Sequence, residues 1–361
     1  DALGADTLGS QNIAIGRLSL GSQNFTTATN SYNVAIGSQS LYANTTGVRN
    51  TAVGGLTLDA NTTASDQAAF GYNSLTDNTT GCCLSAFGSS ALANNTTADY
   101  NTAVGYQAMF TNTTGTSNAA LGKNALVNAT TANHNVALGA DAFQSVTTGF
   151  EGVAVGSNAG GNVTTGGDNV LIGYVAGNHN IGLSTGAGNV IVGSYSDVPA
   201  TNTNHAIVMG YDVTGVGEDN FTFGRGNVDS NIAFGATSIT APSDIRLKED
   251  IEDEQVGLEF INELRPVTFR WKKAKDVSEE LILHKADSEE RVMNGKYNHG
   301  FIAQEVKETI DKYNLKEGFD MWQEDEVDGR QRIGDASLMP ILVKAVQELS
   351  AKVDELENKL N

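Results

Sequence analysis

Two residues in the stretch TAPSDIRLKEDI, Thr240 to Ile251, are of the types that nucleophilic chemistry needs: Ser243 and, five positions on, Lys248. A serine hydroxyl becomes a nucleophile only when a base takes its proton. A free lysine amine, with a pKa of about 10.4, is neutral only about 0.04% of the time at pH 7. Holding it neutral there takes roughly 4 kcal/mol of differential desolvation, which only a folded, water-poor site supplies. Such a pair would be switched on by folding. Spacing alone also admits a plainer reading, because Ser-Asp is a common turn or cap pair and a lysine five residues on is usually a surface charge. The rest of the chain offers little chemistry. Its five histidines lack the spacing of a zinc site, so no metal is expected. The neighbouring Cys82 and Cys83 make no disulfide framework. The glycine-rich run GVGEDNFTFGRG at 215–226 lacks the strand and helix that a dinucleotide loop requires, and no cofactor is expected.

The serine and lysine lie at a break in composition. Residues 1–242 hold 18 charged side chains, whereas residues 243–361 hold 46 in half the length. This marks a domain boundary at 242/243. The net charge of −20 argues against nucleic acid or anionic membrane surfaces as partners, since both call for clustered Lys and Arg. No apolar run approaches the roughly 20 residues that span a bilayer, so no membrane insertion is expected. Without an initiator Met or a leader, the chain reads as part of a longer protein.

The first domain is an internal repeat whose core is Asn-x-Ala-(bulky apolar)-Gly, as in NVAIG at 33–37, NTAVG at 50–54 and 101–105, and NVALG at 135–139. Its closing glycines run from Gly37 to Gly173 in eight successive steps of 17. A second apolar position follows each of the first seven: Leu41, Leu58, Leu75, Leu92, Met109, Leu126 and Phe143. A period of this size predicts a solenoid. Short apolar pieces between turn residues, with Gly and Asn too frequent for helix, predict strands. Alternation along a strand sends the bulky residue one way and Ala the other. We expect the Ala face to be the thin one, against which another backbone packs. So few large side chains per coil leave a lone coil stack marginal against the entropy of ordering it, and a homotrimer is the expected solution. Past Gly173 the steps become 20, 17, 14 and 11, so 174–242 is an irregular distal zone. Tyr195, Tyr211, Phe221 and Phe223 lie there among polar residues, read either as core of a tapering roll or as a glycan-binding surface.

Residues 243–361 read as a small α+β domain. VGLEFINEL (256–264) has helical spacing, PVTFRW (266–271) alternates like a strand, and HGFIAQEVKETIDKY (299–313) begins as a strand and becomes a helix. At about 338–361, Leu342, Val346, Leu349, Val353, Leu356 and Leu360 step by 4 and 3, the core of a short coiled coil.

These motifs carry two resemblances. The repeats resemble the β-roll heads of trimeric bacterial adhesins and, more nearly, the repeat shafts of phage tail fibres. SDIRLKEDI (243–251), LRPVTFRW (264–271), HGFIAQEV (299–306) and LMPILVKAVQEL (338–349) come in the order and spacing of the peptidase S74 family, the intramolecular chaperones that end many tail fibres and tail spikes. The resemblance implies a mainly β protein: a trimeric β-solenoid shaft, then a chaperone domain that trimerises it and cuts itself off. It implies cleavage at Pro242–Ser243 with Ser243 as nucleophile and Lys248 as its base, a single-turnover reaction. Asp244, His299, Gln304 and Glu305 match the family's motifs as supporting residues. The expected setting is a virion tail fibre assembled in the host cytoplasm, with a host glycan or protein receptor at one end and upstream tail or baseplate proteins joined through the missing N-terminus. A bacterial trimeric surface adhesin carrying the same chaperone is the alternative.

Overall fold

The computed structural model describes residues 1–226, 228–315, 321–325, 327–334 and 337–360. The chain divides into two compact units, Asp1–Asp244 and Ile245–Asn361. The architecture is the expected one: a β-solenoid, then a small α+β unit with a long C-terminal helix.

Each 17-residue repeat is one coil. One short strand per coil, from Ile13–Ile15 through Val34–Ile36 and Thr51–Val53 to Ile207–Tyr211 and Asn220–Arg225, joins a single 14-stranded sheet. Successive coils pair parallel and in register, Ala35 opposite Ala52 and Ala52 opposite Ala69. The last strand, Val228–Ala233, turns back antiparallel on Asn220–Arg225, closing that end with a hairpin that shields the sheet edge.

The two strand faces are the reverse of the packing expected from the sequence. The Ala column, including Ala35, Ala52, Ala103 and Ala137, is fully buried inside each coil, where it meets the buried column Leu41, Leu58, Leu75, Leu92, Met109, Leu126 and Phe143. A coil of 17 residues is too narrow to hold a large side chain from both walls, so the strand contributes a methyl and the opposite turn contributes the Leu. The bulky strand residues therefore point outward. From the last regular coil onward the inward column enlarges to Leu171, Ile191 and Val208, all buried. The Leu column also sits at positive φ, from 48° at Phe143 to 53° at Leu58. That conformation costs a non-glycine residue about 1–2 kcal/mol, which burial of a Leu side chain, worth roughly 1.5–3 kcal/mol, offsets.

Asparagine fills the rest of the interior. In one ladder Asn118 accepts the Asn135 N–H at 3.0 Å through its Oδ1, and its Nδ2 donates to the Ala132 carbonyl at 2.7 Å. Asn101 does the same for the Asn118 N–H, at 2.9 Å. A second ladder stacks amide on amide, as Asn95 Nδ2 donates to Asn78 Oδ1 and Asn112 Nδ2 to Asn95 Oδ1, both at 2.8 Å. Buried polar backbone without a partner costs about 1–3 kcal/mol per group. Asn118→Ala strands the Asn135 N–H and the Ala132 carbonyl together and should cost about 2–5 kcal/mol, read as a drop in the chemical-denaturation midpoint of the full chain.

Among its described residues the second unit has three α-helices, α1 (Leu258–Glu263), α2 (Ala303–Lys312) and α3 (Leu338–Leu360). Strand Val267–Phe269 pairs antiparallel with Asn298–Gly300, and Trp322–Glu324 with Gln331–Ile333. Phe260 and Leu264 of the first helical segment, Val306 and Ile310 of α2, Met321, and Ile341 of α3 form its core. Glu348 of α3 accepts the Leu258 N–H at 2.9 Å, placing a carboxylate at the start of α1, where the helix dipole favours it.

Candidate functional site

Pro242, Ser243, Asp244 and Lys248 are all exposed, on extended chain that leads into and out of one 3-10 turn, Ile245–Leu247. The turn is fastened by the Lys248 N–H donating to the Ile245 carbonyl at 3.1 Å. Ser243 belongs to the first compact unit and Lys248 to the second. In the single chain the lysine is exposed, which is not the dry setting that a general base needs.

The supporting residues sit on the strand Asn298–Gly300 and on α2. His299 lies at the middle of its strand, opposite Thr268, with Nδ1 3.4 Å from the Thr268 hydroxyl. Gln304 and Glu305 occupy the first turn of α2. Arg265 grips Glu305 with both ends of its guanidinium, one bond measuring 2.9 Å. The hydrogen bond from Arg265 lowers the pKa of the Glu305 carboxyl, and the ion pair ties α2 to the Arg265 segment. His299 and Gln304 come together on one cavity of about 730 Å³, lined also by Phe269, Trp271, Phe301 and Arg332.

Residues 243–315 match the family model Peptidase S74, described as chaperone of endosialidase. The domain that begins at Ser243 is a peptidase S74 chaperone domain. Its match covers the seam, α1, both strands of the first hairpin and α2, and it begins at the serine singled out by the sequence. Together with the β-solenoid shaft, the S74 domain fits a tail-fibre protein that ends in this chaperone. No curated protein and no solved structure matches the chain.

Two exposed apolar surfaces stand out among the described residues, only one of which the sequence announces. On α3, Ile341 and Ala345 are buried against the unit's own core, whereas the heptad residues are exposed, Val346 by 65% and Leu356 by 60%. The helix therefore has two apolar faces, and its own domain uses one. The second surface is the outward wall of the shaft. From Val34 to Met209 the outward residues form two columns, one running Ile36, Val53, Phe70, Phe87, Val104, Leu121 and on to Met209. Neither column contains a charged residue. Phe70 and Phe87 stack at 4.8 Å, and Leu121 remains 52% exposed. Alternation in the sequence identified these residues, but it could not say which face was the inner one. Among the described residues, no group of three or more His, Cys, Asp or Glu is placed to hold a metal ion, and no helix is long and apolar enough to cross a membrane.

Proposed function

We propose that the chain is a segment of a viral tail fibre: a trimeric host-attachment shaft whose S74 domain drives trimerisation and then releases itself by cutting Pro242–Ser243. The observation that carries this reading is the uncharged outward wall of the shaft. At about 4.8 Å per coil its eleven strands from Val34 to Met209 make a strip about 50 Å long and about 10 Å wide. A solvent-facing uncharged strip of that extent, with one of its two columns apolar throughout, is the mark of an interaction surface. Its repeat is that of the chain itself, so the partner that matches it coil for coil is another copy. The exposed heptad face of α3 supplies a second self-association element, and its short seam lets chains find one another before long-range coil pairing is required.

Cleavage follows from assembly. Burial of Lys248 at a contact between copies would remove water from its amine and convert it to the neutral base. Ser243 would then attack the Pro242 carbonyl carbon through Oγ, Lys248 taking the hydroxyl proton. The peptide C–N bond breaks as the amine of Ser243 takes a proton and leaves, and water opens the resulting ester. The wild-type protein is accordingly expected to yield a fragment starting at Ser243, while Ser243→Ala and Lys248→Ala stay whole. Intact-mass measurement reads this directly, and equal processing in all three chains would remove the Ser/Lys pair from the mechanism.

A further inference from the structure

The coil that departs from the 17-residue rule carries a feature that the shaft's assembly does not use. Three extra residues lie between Gly173 and Gly193, and insertions in solenoids form loops on one face, often the binding face. This loop is held in place from beneath. Asp197, fully buried, accepts the N–H groups of Asn180, Ile181 and Gly182 through one oxygen, at 2.9, 2.9 and 3.0 Å. The loop presents His179 edge-on to Tyr195, with ring centres 4.9 Å apart. Tyr195 also stands edge-on between Tyr174 at 5.3 Å and Tyr211 at 5.6 Å. His179 Nε2 lies 3.8 Å from Asp212 Oδ1. Tyr174 and Tyr211 remain 50% and 53% exposed.

The columns that hold these rings are mixed in earlier coils: beside Ser89, Lys123 and Ser157 the positions aligned with Tyr174 include the exposed Tyr72 and Tyr106, and those aligned with Tyr195 include Leu56 as well as Gln107 and Asn124. The cluster lies outside the two columns of the uncharged wall, and what sets it apart is that rings from successive coils meet there. Resting on the attachment reading above, we infer that Tyr174, His179, Tyr195 and Tyr211 form a platform for a neutral oligosaccharide. Rigid aromatic faces offer large contact area at low entropic cost. The phenol hydroxyls, the imidazole and the Asp212 carboxylate supply donors and acceptors for sugar hydroxyls around them. The loop's buried anchor means the site is formed before the ligand arrives. A chain of net charge −20, with Asp212 in the cluster, disfavours anionic sugars.

The full chain should bind neutral members of a printed array of bacterial surface oligosaccharides. The double variant Tyr174→Ala/Tyr211→Ala should lose at least about tenfold in affinity while keeping its melting temperature. Absence of binding to any neutral oligosaccharide, equal binding by the variant, or preference for anionic sugars would each overturn the assignment. Light scattering on the same sample separates it from the fibre reading: a trimer that binds no sugar sinks the platform alone, and a monomer sinks the fibre.

Discussion

Replacing Gly122 by alanine is expected to lower the melting temperature of the chain by roughly 10 °C or more, through a loss above about 4 kcal/mol. Gly122 has φ +142°, and a Cβ there would lie 2.3 Å from the carbonyl oxygen and 2.5 Å from the carbonyl carbon of Gly139 in the next coil. Both atoms are backbone within a register of paired strands, so neither can swing aside as a flexible side chain would. The same approach recurs at Gly54, Gly71, Gly88 and Gly105, which is why the 17-residue step is marked by glycine. Gly217 is the control, because nothing lies within 4 Å of its missing Cβ. Gly217→Ala should change stability by no more than about 0.5 kcal/mol. Thermal unfolding followed by circular dichroism measures both. Equal melting temperatures for the two variants would mean that the coils are not stacked at the spacing described.

Much of this architecture is legible in the sequence because its strongest signals are local. The glycine step, the short apolar pieces and the heptad of α3 each follow from a few neighbouring residues, and the structure places a coil, a strand and a helix where they predict them. The order of motifs after Ser243 likewise suffices to mark the S74 domain. What eluded the sequence is long-range. Alternation fixes that Ala and Ile point opposite ways, but the inner side is decided by Leu41 and its equivalents reaching across from the opposite turn. Asn44, Asn61, Asn78, Asn95 and Asn112 each stand before a Thr-Thr pair, residue types that by themselves suggest a solvated turn, yet all are fully buried. Only stacking one coil on the next turns a turn amide into a ladder. In α1 the spacing favoured Leu258, Ile261 and Leu264, while Phe260 is the fully buried residue. Ser243 and Lys248 are conspicuous by type, but the chemistry proposed for them requires that water be excluded, and no sequence pattern states that.

The outward wall yields the sharpest test of assembly. On the trimeric reading proposed above, the double substitution Leu121→Asp/Leu138→Asp in the Ser243→Ala chain is expected to separate the copies. Both leucines lie on the outward face of adjacent strands, 52% and 37% exposed in the single chain, so in an isolated solenoid aspartate at these sites costs little. Between copies the arithmetic differs. Each lost leucine forfeits roughly 1.5–3 kcal/mol of burial. Each unpaired carboxylate brought into a dry contact costs several kcal/mol more. Threefold symmetry repeats the penalty in every copy, and the like charges then face one another around the axis. Light scattering should therefore fall from three times 37.8 kDa to 37.8 kDa, while the β signal of the coils persists. Lys123→Glu, on a column outside the uncharged wall, should leave the mass unchanged. A double-aspartate chain that stays trimeric would move the contact off this wall, and α3 alone would then have to hold the three chains together.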